Sequence, residues 1–143
     1  MSLEQLVHRW EQQVVDLGKR LVPGAAEAKC REEAERLSQA IAEHESHAQH
    51  FYDATKQVRG GIAENEVREV VLASQVETYI HTKEQAKAYP LALDLEEVRR
   101  QLTEDRTRLP CDQKAYEMHR AQIAELERRL VEVERKLQKW ASV

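Results

Sequence analysis

Bulky apolar residues are scarce in this chain. Aromatics make up 5% of its 143 residues, with a single phenylalanine, and leucine, isoleucine, valine and phenylalanine together number 32. A share of about one fifth is where chains stop filling a globular core, so a thick core is not expected. Much of the 41% hydrophobic content is alanine, 17 residues in all. Glycine and proline number only four and three, while charged residues reach 34%. A chain rich in helix formers and poor in punctuation points to long helices with narrow apolar stripes.

Other absences exclude whole classes of function. Cys30 and Cys111 are unclustered, and the opening MSLEQLVHRWEQQ carries neither a basic stretch nor an apolar run, so free thiols in a reducing cytoplasm are expected. The longest uninterrupted apolar run lies around VVLA at 70–73, too short for membrane insertion. With 22 lysines and arginines against 26 acids, a net charge of -4 and no basic block, the chain lacks the footprint of nucleic-acid binding. Arg59-Gly60-Gly61 has neither the length nor the lysine of a phosphate loop. Cys111 and His119 stand eight residues apart without a third group to orient them. The carboxylates are spread over charged faces, with no pocket implied. No cofactor motif and no catalytic residue emerges, and an enzyme is not expected.

What the chain does contain is periodicity. Leu3, Val7, Trp10, Val14, Leu17 and Leu21 alternate by four and three, one stripe of a helix with Ser2 as N-cap and Pro23-Gly24 as stop. A weaker seam follows, with Cys30, Leu37, His44, Phe51 and Val58 at one core position and Ala34, Ile41, Ala48 and Thr55 at the other. Gly60-Gly61 interrupts it, as a hairpin tip or as a flexible point in one rod. Helical style resumes over 62–89, although VREVVLASQVETYI has the β-branched content of a strand. Beyond Pro90 the pattern is strongest: Leu95, Leu102, Leu109, Tyr116, Ile123, Leu130 and Leu137 recur every seven residues, with Leu91, Val98, Leu126, Val133 and Trp140 at the complementary position. Asp105, Asp112 and His119 loosen the seam around Pro110, where a kink or break is expected even though the heptad keeps its phase. Glu125 with Arg129, Glu132 with Lys136 and Glu96 with Arg100 are spaced as ion pairs within the helix. In a parallel pair, Arg129 would face Glu134 of the other strand.

The fold class is therefore all-α: elongated helices with coiled-coil seams, strongest at 91–140. Three segments are expected: an amphipathic helix at 1–23, weak-seam helices at 24–89 interrupted at 60–61, and a coiled coil at 90–143. A seam this narrow calls for a partner helix, a different chain rather than a second copy, unless the earlier helices fold back on it. Partner-facing positions are then Leu95, Val98, Leu102, Leu109, Ile123, Leu126, Leu130, Val133, Leu137 and Trp140, with Trp10 as an anchor on the first helix.

HESHAQH at 44–50 is the stretch that most suggests chemistry. On a helix Glu43, His47 and His50 share a face, a ligand set that zinc accepts. Yet no HExxH, repeated ExxH or CxxC accompanies it, so a polar patch on a weak seam accounts for the same residues.

One resemblance spans much of the chain. LVPG (21–24), CREEAERLSQAI (30–41), AENE (63–66) and LALDLEEVRRQL (91–102), in this order, resemble the small coiled-coil subunit family of intraflagellar transport protein 20. The resemblance covers about residues 17–120. The first helix with Trp10, the glycine pair, Pro90, Pro110 and the ending VERKLQKWASV depart from it. It implies a cytoplasmic component of the train that carries cargo into cilia or flagella, paired with a longer subunit through Leu95, Val98, Leu102 and Leu109. The periodicity alone fits equally a subunit of another cytoskeletal, kinetochore or secretion assembly, or a self-contained helical bundle that binds proteins.

Overall fold

Helix formers in nearly unbroken succession yield three helices and, among the described residues, no strand. A computed structural model describes residues 2–21 and 24–141, the side chains of residues 14–21 excepted. In chain order the helices are α1 (Leu3–Leu21), α2 (Ala25–His81) and α3 (Gln85–Ala141), the last two of 57 residues each.

The start of α1 is a reciprocal capping box. The Gln5 N–H donates to Ser2 Oγ at 3.3 Å and the Ser2 N–H donates to Gln5 Oε1 at 3.2 Å. Of the expected stop, Pro23 lies outside the described residues, as do the side chains of Val14, Leu17 and Leu21. Gly24 opens α2, its carbonyl accepting the Ala28 N–H at 2.8 Å.

The reversal does not fall at Gly60-Gly61. Both glycines lie inside α2, and the chain turns at 82–84, so the stretch 62–89 expected as one helix is divided between two. The turn is built by backbone bonds that close the C-terminus of α2: the Glu84 N–H donates to the Tyr79 carbonyl at 2.8 Å and the Lys83 N–H to the Ile80 carbonyl at 3.1 Å. This pattern requires a left-handed residue, and Lys83 supplies it with φ of 59°. Glu84 then begins α3, its carbonyl accepting the N–H groups of Lys87 and Ala88. The helix α3 continues through Pro90 and Pro110 without a break. Proline leaves the carbonyls of Ala86 and Arg106 without their usual donor four residues on, and the preserved heptad phase is the better guide to the outcome.

The chain divides into two units, Glu45–Arg120 and Met1–His44 with Ala121–Val143. In the first, α2 and α3 form an antiparallel hairpin about the 82–84 turn. Its seam buries Ala48, Thr55, Val58, Ala88, Leu95, Val98 and Leu102, the last only 1% exposed. The register is read from contacts that step steadily along both helices: Glu69 with Arg99 at 3.7 Å, Glu66 with Arg106 at 3.2 Å, Tyr52 beside Tyr116, and His47 beside His119. In the second unit the buried residues are Leu37 and Ile41 from α2 with Ile123 and Val133 from α3, Ile123 at 1% exposure.

Burial follows the two heptads closely. Every member of the weaker stripe from Cys30 to Val58 is buried or half-buried, and so is every seam position of α3 from Leu91 to Trp140. The α2 stripe also keeps its phase across the glycines: Ile62, Asn65, Glu69, Leu72, Val76 and Tyr79 are all half-buried. That continuity marks a single helix.

Candidate interaction surface

The strongest apolar positions of the sequence are consumed inside the chain. Leu95, Val98 and Leu102 are buried in the hairpin unit and Leu109 is half-buried there. Ile123 and Val133 are buried in the other unit, where Leu126, Leu130, Leu137 and Trp140 are half-buried. These residues were expected to face a partner helix; here the chain's own α2 takes the partner's place, because the 82–84 turn folds α3 back along it. Trp10 is the exception, 65% exposed on α1.

His47, His50 and His119 make ring contacts. His47 stacks on His119 of α3 with centroids 5.2 Å apart, His119 stacks on Phe51 at 5.7 Å, and His50 meets the edge of Phe51 at 5.3 Å. His47 is exposed beside the seam and meets His119 at its edge, while His50 packs on its neighbour. Glu43 is exposed. Among the described residues no three His, Cys, Asp or Glu side chains gather to hold a metal ion, Glu43, His47 and His50 included. Cys111 is exposed, its thiol 3.8 Å from the Thr107 carbonyl, and His119 is engaged elsewhere.

The outer faces carry ion ladders. Arg100 is held between Glu97 and Glu104 rather than by Glu96, and Arg128 between Glu125 and Glu132. Arg129 also approaches Glu125, at 3.5 Å. The hydrogen bond from Arg100 holds the Glu97 carboxyl below the usual carboxylate range, and the bond from Arg128 does the same for Glu125. The arginines are pushed up in return. All four groups are solvent-exposed, so these pairs contribute little to stability.

No family model, curated protein or solved structure matches the chain. Its function has therefore to be sought in its surface.

Three exposed apolar sets stand out. Leu3, Leu6, Val7 and Trp10 form an uncovered stripe on α1. Val67, Val70 and Val71 lie on the side of α2 away from the seam, Val70 being 69% exposed. Tyr89 and Leu93, one turn apart, are exposed on α3. The valine face explains why VREVVLASQVETYI looked strand-like: one helix carries apolar residues on two opposite sides. Following the α2 heptad past Gly61 separates the two sets, since Leu72 and Val76 fall on the seam and the exposed valines do not. The helices carry no span long and apolar enough to cross a membrane among the described residues. Exposed apolar sets of this kind on a charged helical chain suit a protein partner.

Proposed function

We propose that this chain is a non-enzymatic, protein-binding subunit of a multiprotein assembly. The observation that carries this reading is the division of its apolar residues into a seam closed by its own helices and further sets left in solvent on α1 and α2. The seam supplies the fold, which leaves the outer sets for a partner. The partner is a different chain, engaged through Trp10 and its neighbours on α1. The intraflagellar transport train is the assembly we assign to it, on the support of the ordered segments LVPG, AENE and LALDLEEVRRQL.

The intrachain hairpin favours a particular form of this reading: a self-contained helical module that recognises its partner through an outer face, in place of an obligate strand of an intermolecular coiled coil. Native purification of the tagged chain from its source cells tests it. Expected is co-elution with a larger protein at constant stoichiometry, lost when Leu6 and Trp10 are changed to serine, together with recovery in the ciliary or flagellar fraction. Elution as a lone monomer overturns the assembly reading. A stable complex absent from cilia and flagella overturns the transport assignment and leaves the cytoskeletal, kinetochore or secretion alternatives.

A further inference from the structure

The outer face of α2 carries a second heptad. Gly60, Ala63, Val67, Val70, Ser74 and Glu77 alternate by three and four, and every one is exposed, Val67 at 65% and Val70 at 69%. Val71 widens the stripe at its centre. Each of the six stands two residues before a member of the intrachain seam from Ile62 to Tyr79, so the two stripes lie back to back on one helix. A helix with two such seams is suited to packing on both sides. Within the hairpin unit α3 covers the first, and the second is bare.

The charges along the bare stripe distinguish between occupants. Lys56 and Arg59 stand at its start and Glu77 at its end, with the valines between them. Let a second copy of α2 lie antiparallel on it, with Val67 of each copy level with Val70 of the other. Ala63 then meets Ser74 and Gly60 meets Glu77 of the second copy, and by symmetry the reverse. Arg59, beside Gly60, reaches that same Glu77, and Lys56 approaches it from one turn away. His81, 3.7 Å from Glu77 of its own helix, comes level with Lys56. On the flank, Glu64 lies by Val71 of the second copy and nearest its Arg68; Glu66 lies by Ala73 and is already held by Arg106 of its own chain. A parallel pair does the opposite, setting Glu77 against Glu77 and Lys56 against Lys56. Gly60 fits the same arrangement: it weakens α2, has no positive φ, and nothing lies within 4 Å of a Cβ built on it, so its own chain does not require it. In the antiparallel pair it leaves room for the stem of Glu77.

We propose that the outer face of α2 is a self-association surface on which two copies of this chain pair antiparallel about a two-fold axis between Val67 and Val70. An interface of this symmetry has to complement itself, and a stripe basic at one end, acidic at the other and apolar in the middle does so. The surface is separate from α1, through which the assembly reading engages a different chain.

Sedimentation equilibrium of the purified full chain over a range of concentrations tests it. Expected is a reversible monomer–dimer equilibrium, weakened about tenfold or more by Val67→Ser with Val70→Ser. Glu77→Lys and the double change Lys56→Glu with Arg59→Glu each weaken pairing about tenfold, and an equimolar mixture of these two variants restores it, since each copy then meets its opposite charge. All five positions are exposed, so the fold is preserved, which circular dichroism checks. Gly60→Leu raises the melting temperature of the single chain yet weakens the dimer about fivefold by holding the helices apart, a combination that a purely structural role does not produce. A chain that stays monomeric up to about 1 mM overturns the proposal. So does a dimer indifferent to the valine changes, or one lost only with Leu6→Ser and Trp10→Ser, which places self-association on α1. Loss with the valine changes but no response to charge reversal and no rescue on mixing overturns the antiparallel register. If the chain alone is monomeric and the larger protein of the native purification is lost with Val67→Ser and Val70→Ser, the face belongs to that protein: self-pairing is overturned and the assembly reading stands.

Discussion

At Lys83 a single residue carries the geometry of the whole reversal. A side chain in the left-handed region costs about 1–2 kcal/mol, which glycine avoids. The φ of 59° is imposed by the two bonds from Lys83 and Glu84 back to Ile80 and Tyr79. Lys83→Gly is expected to raise unfolding stability by about 1 kcal/mol, read from the midpoint of a urea titration. At Glu97 the sign of a pH effect follows from its lowered carboxyl pKa. The depressed value stabilises the fold above the ordinary carboxylate range, and that contribution is lost as pH falls through the lowered pKa. Because the group is fully exposed the effect is small: Glu97→Gln lowers the melting temperature by about 1 °C at neutral pH, and the difference disappears once acid protonates the carboxyl.

At the scale of the element, α2 and α3 override residues that usually end helices. Nothing lies within 4 Å of a Cβ built on Gly60, and at Gly61 the nearest atom is Asp105 Oδ2 at 3.7 Å, an ordinary contact. Neither glycine is required by sterics or by a positive φ. Each therefore weakens the interior of α2 by the backbone entropy that glycine loses in a helix. Gly60→Ala and Gly61→Ala are each expected to raise stability by about 0.5–1 kcal/mol, measured by chemical denaturation of the single and double variants. The heptad phase on either side of the glycines and of Pro110 shows why continuity wins: a break forfeits the register of every seam residue beyond it, whereas a glycine or a lost hydrogen bond costs only locally.

At the scale of the whole molecule, burial is concentrated in few residues. A chain with so little aliphatic bulk depends on each fully buried side chain, and Leu102 and Ile123 are the largest of these. Leu102→Ala is expected to lower unfolding stability by about 3 kcal/mol, a large part of what a thin-cored chain possesses, measured as a shift of the denaturation midpoint. Substitution of the exposed Val70 by serine makes the contrasting case. Its effect on stability is within about 0.5 kcal/mol, so any change in partner capture with Val70→Ser reports on binding and not on folding.

By itself the sequence determined the helical class, the Ser2 cap and the two seams, since a period of seven with leucine and valine at both core positions leaves a helix one face to bury. His44, Phe51 and Thr55 were legible as seam members on the same ground. Tertiary structure alone decided what covers those seams. Gly60-Gly61 has the composition of a turn and His81-Thr82-Lys83-Glu84 does not, yet the chain reverses at the second, because backbone hydrogen bonds can stabilise a lysine in a left-handed conformation. Once the reversal lies at 82–84, Leu95, Val98 and Leu102 meet α2 of the same chain, and the valine face of α2 and the stripe on α1 stay exposed. The Tyr52–Tyr116 pair and the orphan hydroxyl of Thr55 were invisible beforehand. They arise between two helices far apart in sequence, and no local periodicity encodes which residues face one another across an antiparallel seam.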